Sequence, residues 1–183
     1  PEPVRLVCYE DDTEGLLLKL SSHGLDMILT DAPVPASART RTFNHDLGSC
    51  GVTFCATPGV AGGIRRNFPA SLDGAPFLLP VEGSVLRRSL EQWFDRNHIR
   101  PSIIGEFEDS ALLKVFGQAG AGVFAIPSAV EKDVQAQYGV AIAGRTGQIV
   151  ERFYAVSVER RLKHPAVVAV SEAAQLLFDA AAK

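Results

Sequence analysis

The sequence lacks the features that would assign it to several special classes of protein. It contains no run of eighteen apolar residues, so we expect no transmembrane helix. It has no charged start followed by an apolar stretch, so we expect no signal peptide and a cytoplasmic location. Neither sign of charge dominates, because 18 basic and 21 acidic residues leave a net charge of −3. A weakly acidic chain is not expected to bind a nucleic-acid backbone by itself.

Cysteine and histidine are also scarce. The three cysteines, Cys8, Cys50 and Cys55, are odd in number and show no CxxC spacing, which argues against a disulfide framework or a zinc knuckle. None of the four histidines has a second histidine four residues away, so no zinc site is expected. The sequence therefore predicts reduced thiols, no metal and no cofactor.

The overall balance of residues is that of an ordinary globular protein. The 183 residues are 46% hydrophobic and 21% charged, which excludes a disordered tail or a coiled coil as the main content. This length suffices for one large domain or two small lobes. The chain opens with Pro1-Glu2-Pro3 and no Met, so we expect it to be a fragment.

Stretches of β-forming residues alternate with amphipathic stretches along the chain. The predicted strands are 4–9, 25–30, 43–47, 51–56, 75–80, 101–107, 122–127, 140–143 and 151–158. The predicted helices are 11–24, 84–97, 109–117, 128–138 and 165–181. Ser128 and Glu131 have the spacing of a capping box, and Gly24 is expected to end the first helix. The glycine-rich segment 57–67 is predicted to be an exposed loop.

This alternation predicts an α/β fold with parallel sheets covered by helices. The first βαβ unit is too small for a core of its own, so the last strand and helix must return to it. We therefore predict lobe one from residues 1–52 and 151–183, and lobe two from residues 53–150. In open α/β sheets, ligands bind beyond the carboxyl ends of the strands. Those ends are expected at 9–13, 31–33, 80–84, 107–110 and 127–128.

Two candidate catalytic patterns are weak. The glycines of segment 117–122 follow a predicted helix and precede a strand, the reverse of a phosphate loop, so we interpret the segment as a tight turn. His45 and Cys50 could form a nucleophile pair, but nothing in the sequence orients the histidine and the cysteine has apolar neighbours. We expect no catalytic residue and no enzymatic activity.

Carboxylates lie at the predicted strand ends. Glu106, Glu108 and Asp109 surround Phe107, and Asp12 and Asp31 follow strands of the first lobe. Paired carboxylates can perform acid–base chemistry or bind a hard cation. The plainer alternative is that Asp109 caps a helix and the glutamates are solvated. If acidic groups of both lobes face one cleft, they favour a cation over an anion.

Longer stretches of the sequence are similar to a known family. These are Leu25-Asp26-Met27-Ile28, Gly51-Val52-Thr53-Phe54, the segment from Gly105 to Gly117 (GEFEDSALLKVFG), Glu159-Arg160 and His164-Pro165-Ala166-Val167. Through them nearly the whole chain resembles the effector-binding domain of a LysR-type transcriptional regulator. Within that family it is similar to the activator of a sodium/proton antiporter gene.

The resemblance implies a two-lobed, type II periplasmic-binding-protein-like fold, with lobe one lacking its first strand and helix. It implies a small-molecule or ion effector between the lobes. It also implies a homodimer or tetramer that binds DNA only through an N-terminal winged helix-turn-helix, which this sequence lacks, and no membrane contact. Sodium or another cation is the effector expected from the antiporter activator, while organic acids, which related regulators bind, remain an alternative.

The same resemblance and the strand-end argument together name the expected effector-binding residues. They are Asp12, Thr13, Asp31, Gly83, Ser84, Phe107, Glu108, Asp109, Pro127 and Ser128.

Two other functions share these features of the sequence. A solute-binding protein of a transport system has the same fold, although the missing signal peptide and unpaired cysteines argue against export. An enzyme would need a partner for the carboxylates at 106–109, and none is evident.

Overall fold

The structure is a computed structural model that describes residues 5–35 and 41–181. The helices are α1 (Thr13–Ser21), α2 (Pro58–Arg65), α3 (Val85–Arg96), α4 (Ser110–Gln118), α5 (Glu131–Tyr138) and α6 (Pro165–Ala181). The strands are β1 (Ile28–Thr30), β2 (Phe43–Ala56), β3 (Pro76–Pro80), β4 (Ser102–Phe107), β5 (Val123–Pro127) and β6 (Ala141–Ser157). No helix within the described ranges is long and apolar enough to cross a membrane.

The chain divides into two compact units. The first contains residues 1–49 and 152–183, and the second contains residues 50–151. Both boundaries fall inside strands, the first in β2 and the second in β6. The described elements form a mixed α/β arrangement.

In the second unit, β3 pairs in parallel with β4 and with β5, while β2 pairs antiparallel with β5. The core against these strands is aromatic: the Phe54 and Trp93 rings lie 5.1 Å apart between centroids, and both side chains are buried. Helix α3 supplies Trp93 because its apolar residues recur at helical spacing, so that Leu90, Trp93 and Phe94 share a buried face. Burying such rings is the main stabilising term of this unit.

In the first unit, β1 pairs antiparallel with β6, with Ile28 opposite Val156. Leu20 of α1 packs with both residues in a small buried cluster. Helix α6 stacks Phe178 on Phe153 of β6, with the ring centroids 4.9 Å apart. The sheet of this unit is antiparallel where the sequence predicted parallel strands, so the parallel prediction is correct only for β3, β4 and β5.

The predicted strand at 4–9 is wrong. Residues 5–10 form no strand, and the Leu6 side chain is 69% exposed; residue 4 lies outside the described residues. A strand is held by hydrogen bonds to a neighbouring strand, and segment 5–10 pairs with no strand among the described residues. A composition of β-forming residues therefore does not by itself make this segment a strand.

The predicted exposed loop at 57–67 is also wrong, because residues 58–65 form helix α2. Pro58 occupies the first turn, where its missing N–H is tolerated, and Ala61 and Ile64 are buried three residues apart on one face. Burial of this face outweighs the low helix propensity of the glycines in the segment.

Four of the predicted strands join in pairs, so that they form only two strands in the structure. Segments 43–47 and 51–56 are one strand, β2, and segments 140–143 and 151–158 are one strand, β6. Gly48, at φ +130°, lets β2 continue through the break, and a Cβ there would lie 2.5 Å from Phe178 Cβ. The first helix also ends differently, since His23 rather than Gly24 takes the left-handed conformation at φ +58°.

Candidate functional site

The carboxyl ends of three strands meet at one edge of the second unit. Pro80 of β3 is in register with Phe107 of β4, and Phe77 of β3 with Val123 of β5, all in parallel. The segments that follow these strands therefore share this edge. They contain the predicted effector residues Gly83, Ser84, Phe107, Glu108, Asp109, Pro127 and Ser128, and we call this group the carboxyl edge.

Two of these residues are helix caps. The Ser84 hydroxyl accepts a hydrogen bond from the Arg87 amide at 3.1 Å, and Asp109 Oδ1 accepts from the amides of Ala111 at 2.6 Å and Leu112 at 3.3 Å. Short polar side chains satisfy the orphan amides of a helix in this way. Asp109 remains exposed, so it is accessible to a ligand while it caps the helix.

The other carboxyl-edge residues differ in exposure. Gly83 has φ +93°, a conformation that side chains other than glycine rarely adopt. The Phe107 ring packs 5.0 Å from the Phe116 ring between centroids, so part of its surface is engaged in the core. Glu108 is exposed, whereas Pro127 and Ser128 are half-buried.

Arg87 is a buried cation beside this edge that the sequence analysis missed. Its guanidinium donates to the Pro80 carbonyl at 2.9 Å, to Glu106 at 2.8 Å and to Glu91 of the same helix. Burial disfavours its charge, but the two carboxylates outweigh burial and hold the pKa of Arg87 above its usual value. Glu106 is thus engaged in an ion pair with Arg87.

A second polar cluster is centred on Glu131, the first residue of α5. Glu131 Oε2 accepts a hydrogen bond from the hydroxyl of Thr53 at 2.8 Å and from Arg145 Nε at 2.8 Å, and its Oε1 accepts from Arg145 Nη2 at 2.9 Å. The Arg145 guanidinium, with help from the Thr53 hydroxyl, holds the pKa of Glu131 below its usual range against the opposing effect of burial. This carboxylate therefore connects α5 to the neighbouring strands β2 and β6.

The capping box predicted for Ser128 and Glu131 is wrong. Residues 128–130 form a short 3₁₀ turn without a side-chain cap, and α5 begins at Glu131 itself. The Glu131 side chain is held by Arg145 and Thr53, so it does not reach back to the Ser128 amide. Nearby, burial and the charge of Glu131 raise the pKa of the Cys55 thiol to about 12, which makes Cys55 an inert core residue.

The three predicted effector residues of the first unit lie at the ends of its elements. Asp12 caps α1, with Oδ1 accepting from the Gly15 amide at 2.7 Å, and Thr13 is the first helical residue. Asp31 follows β1 and is exposed. Asp11 forms an ion pair with Lys19 at 2.8 Å, so this acidic segment is partly neutralised.

The histidine, cysteine and glycine-rich candidates that the sequence offered lie in ordinary structural surroundings. They contain no group of three or more His, Cys, Asp or Glu side chains that could hold a metal ion. His45 Nε2 lies 2.9 Å from the Ser157 hydroxyl, and Cys50 is buried. Segment 117–122 is the predicted turn, since α4 ends at Gln118 and β5 begins at Val123.

Comparison with known proteins identifies relatives over almost the entire chain. The family model for the LysR substrate binding domain matches residues 2–177. The transcriptional activator protein NhaR of Escherichia coli (strain K12) is 37% identical over 167 residues, which are 91% of this chain and 54% of the relative. The NhaR of Shigella flexneri matches to the same extent. The chain therefore spans about half the length of the curated relatives it matches.

Solved structures with the same fold are more distant in sequence. The regulatory domain of HypT from Salmonella typhimurium has a TM-score of 0.65 at 16% identity, over 91% of this chain and 80% of that one. Vibrio fischeri DarR, solved in complex with DNA, has a TM-score of 0.67 at 18% identity, over 91% of this chain and 56% of that one. These structures establish the fold, and the family match together with the identity to NhaR establishes the relationship. The chain belongs to the LysR substrate-binding-domain family, whose members are non-enzymatic regulators, as the sequence predicted.

Proposed function

We propose that the chain is the effector-sensing regulatory domain of a cytoplasmic LysR-type transcriptional activator, and that its effector binds at the carboxyl edge. The observation that carries this proposal is the parallel register of β3, β4 and β5, which brings the segments after all three strands to one place. Ligands of open α/β sheets bind beyond such strand ends. The family relationship supports the same function. Asp12, Thr13 and Asp31 are proposed as the effector-binding residues of the first unit.

We further propose that the effector is a cation, with sodium as the first candidate. Glu108 and Asp109 are exposed at the carboxyl edge, and carboxylate oxygens suit hard cations. The buried cation next to them, Arg87, is already compensated by Glu91 and Glu106, so it offers no free charge to an anion. The resemblance to an antiporter activator points to the same ion. An organic acid is the competing effector.

The output of this domain would be exerted through the rest of the regulator. We propose that DNA contact resides in an N-terminal winged helix-turn-helix and that the protein acts as a homodimer or tetramer. An effector can shift such an assembly only by the difference between its affinities for two states. Selective affinity for one ion is therefore the property to measure first.

The test is the thermal unfolding of the chain in sodium, lithium, potassium and choline chloride at equal ionic strength. We expect sodium to raise the unfolding midpoint in a saturable way, because a ligand that binds only the folded state stabilises it. Equal midpoints in all four salts would contradict a cation effector. Stabilisation by an organic acid but by none of the cations would identify the competing effector class.

Asp109 allows the carboxylate and the cap to be separated. Asp109→Ala removes both and should cost about 1 kcal/mol of stability while weakening the sodium response. Asp109→Asn keeps a good cap but removes the charge, so it should keep the stability and still weaken the response. Asp133→Asn is the matched control, because it removes an exposed carboxylate of the same unit that is not part of the carboxyl edge. A full sodium response in Asp109→Asn would show that Asp109 is only a cap.

A further inference from the structure

The first unit contains a pocket whose lining includes none of the proposed effector-binding residues. It has a volume of about 430 Å³ and lies where the end of α1, the start of β1, the end of β6 and the start of α6 converge. β1 and β6 are antiparallel, so the end of β6 lies beside the start of β1. Asp31 follows the opposite end of β1, and Asp12 and Thr13 begin α1 at the opposite end from His23. The pocket is therefore distinct from the predicted effector residues of this unit.

Ionisable side chains of both signs line this pocket. They are His23, Asp26, Glu159, Lys163 and His164. None of these five side chains forms a hydrogen bond or an ion pair with another residue in the described parts of the chain. Charged groups that face a cavity without compensating one another are free to pair with a ligand. A ligand with a single charge would meet side chains of its own sign in this lining. A ligand that carries both an ammonium and a carboxylate could pair with the acidic and the basic side chains at once.

The rest of the lining is aliphatic. Leu25, Val158, Leu162 and Val167 are half-buried and contribute apolar surface to the same pocket. Ser157 forms a rigid part of the wall: its hydroxyl donates to the Glu159 carbonyl at 2.7 Å and accepts from His45 Nε2 at 2.9 Å. Because these bonds use the hydroxyl, recognition is left to the ionisable and aliphatic groups. The volume lies in the range of small-molecule sites, which is about 300–1,000 Å³.

We propose that this pocket binds a zwitterionic amino acid with an aliphatic side chain. The ligand carboxylate would pair with Lys163, its ammonium with Asp26 or Glu159, and its side chain would contact the four aliphatic residues. This site is a second ligand input to the domain, separate from the carboxyl edge. The proposal does not depend on which effector binds there.

The test uses the histidines as reporters in nuclear magnetic resonance of the whole chain. Only four histidines are present, and His23 and His164 line the pocket whereas His98 belongs to the second unit. L-leucine should move the imidazole signals of the two pocket histidines in a saturable way and leave that of His98 unchanged. Two analogues carry only one of its charges: 4-methylpentanoate is the carboxylate and 3-methylbutylamine is the amine. Each should bind about fivefold more weakly, since each lacks one ion pair to an exposed side chain.

Variants connect the binding to the pocket. Asp26→Asn and Lys163→Met should each weaken leucine binding by about fivefold, since each removes one exposed ion pair. Asp133→Asn and Lys132→Met are matched controls, because both residues are exposed on α5 of the second unit. All four positions are exposed, so the variants should retain the unfolding midpoint of the parent chain. No leucine-induced shift at His23 and His164, equal binding of the three ligands, or unchanged binding in both pocket variants would each overturn the proposal.

Discussion

Glu131→Ala removes the carboxylate that connects α5 to β2 and β6 in the second unit. In the parent chain this carboxylate accepts three hydrogen bonds, one from Thr53 and two from Arg145. The two partners differ in their surroundings. The Thr53 side chain is fully buried, at 0% exposure, whereas the Arg145 side chain is 57% exposed. The loss of Glu131 therefore leaves the buried Thr53 hydroxyl without its acceptor, whereas the exposed Arg145 guanidinium can be hydrated instead.

The magnitude follows from that difference. A buried polar group left without a partner costs about 1–3 kcal/mol of stability. An exposed ion pair contributes only about 0–1 kcal/mol, since its members are solvated when they separate. We expect Glu131→Ala to cost about 2 kcal/mol in total, most of it from the Thr53 hydroxyl. Thr53→Val should cost about 1 kcal/mol or less, because it removes the hydroxyl itself and Glu131 keeps both bonds to Arg145.

A double-mutant cycle separates these terms. In the Thr53→Val background there is no buried hydroxyl that could lose its acceptor. Glu131→Ala should therefore cost about 1–2 kcal/mol less there than in the parent chain. The assay is urea unfolding followed by tryptophan fluorescence. The chain has a single tryptophan, and Trp93 is buried in the core of the same unit, so the signal reports this unit.

Equal costs of Glu131→Ala in the two backgrounds would refute the argument that the buried hydroxyl carries the penalty. Glu131→Gln provides the control for shape, because the amide oxygen can still accept from Thr53 while the charge is lost. It should cost less than Glu131→Ala. An equal cost for Glu131→Gln and Glu131→Ala would show that the ion pair with Arg145, and not the hydroxyl, dominates.

The remaining predictions concern pH and two glycines. The folded-state pKa of Glu131 is held below its ordinary value of 4.5, so the stability it contributes is present above pH 4.5 and is lost as pH falls through the lowered pKa. The advantage of the parent chain over Glu131→Gln should therefore shrink between pH 6 and pH 3, and a constant difference would contradict the shift. A Cβ on Gly117 would lie 2.3 Å from the buried Phe124 ring, so Gly117→Ala should destabilise by about 1–3 kcal/mol. A Cβ on Gly63 in α2 would meet nothing within 4 Å, so Gly63→Ala should stabilise by up to about 1 kcal/mol in the same unfolding assay, and a loss there would contradict the open geometry.

Local signals in the sequence predicted most of the second unit. Ser84 and Asp109 were placed at the starts of helices, and both cap helices in the structure. Short polar side chains satisfy helix amides within two or three residues, so such a signal depends little on the rest of the fold. The carboxyl edge could be predicted for a related reason, because parallel strands that alternate with helices must end on the same side.

Other features depended on contacts between residues far apart in the chain. Residues 5–10 have a strand-like composition but pair with no described strand, while the glycine-rich segment 58–65 is helical because Ala61 and Ile64 are buried against the core. Glu131 had the spacing of a capping residue, yet its partners lie 78 residues before it and 14 after it. The sequence by itself determined the caps of α3 and α4, the carboxylates after β4 and the family. Only the tertiary structure decided which strand finds a partner and which carboxylate is engaged by a buried hydroxyl and an arginine, because both depend on packing that no local pattern encodes.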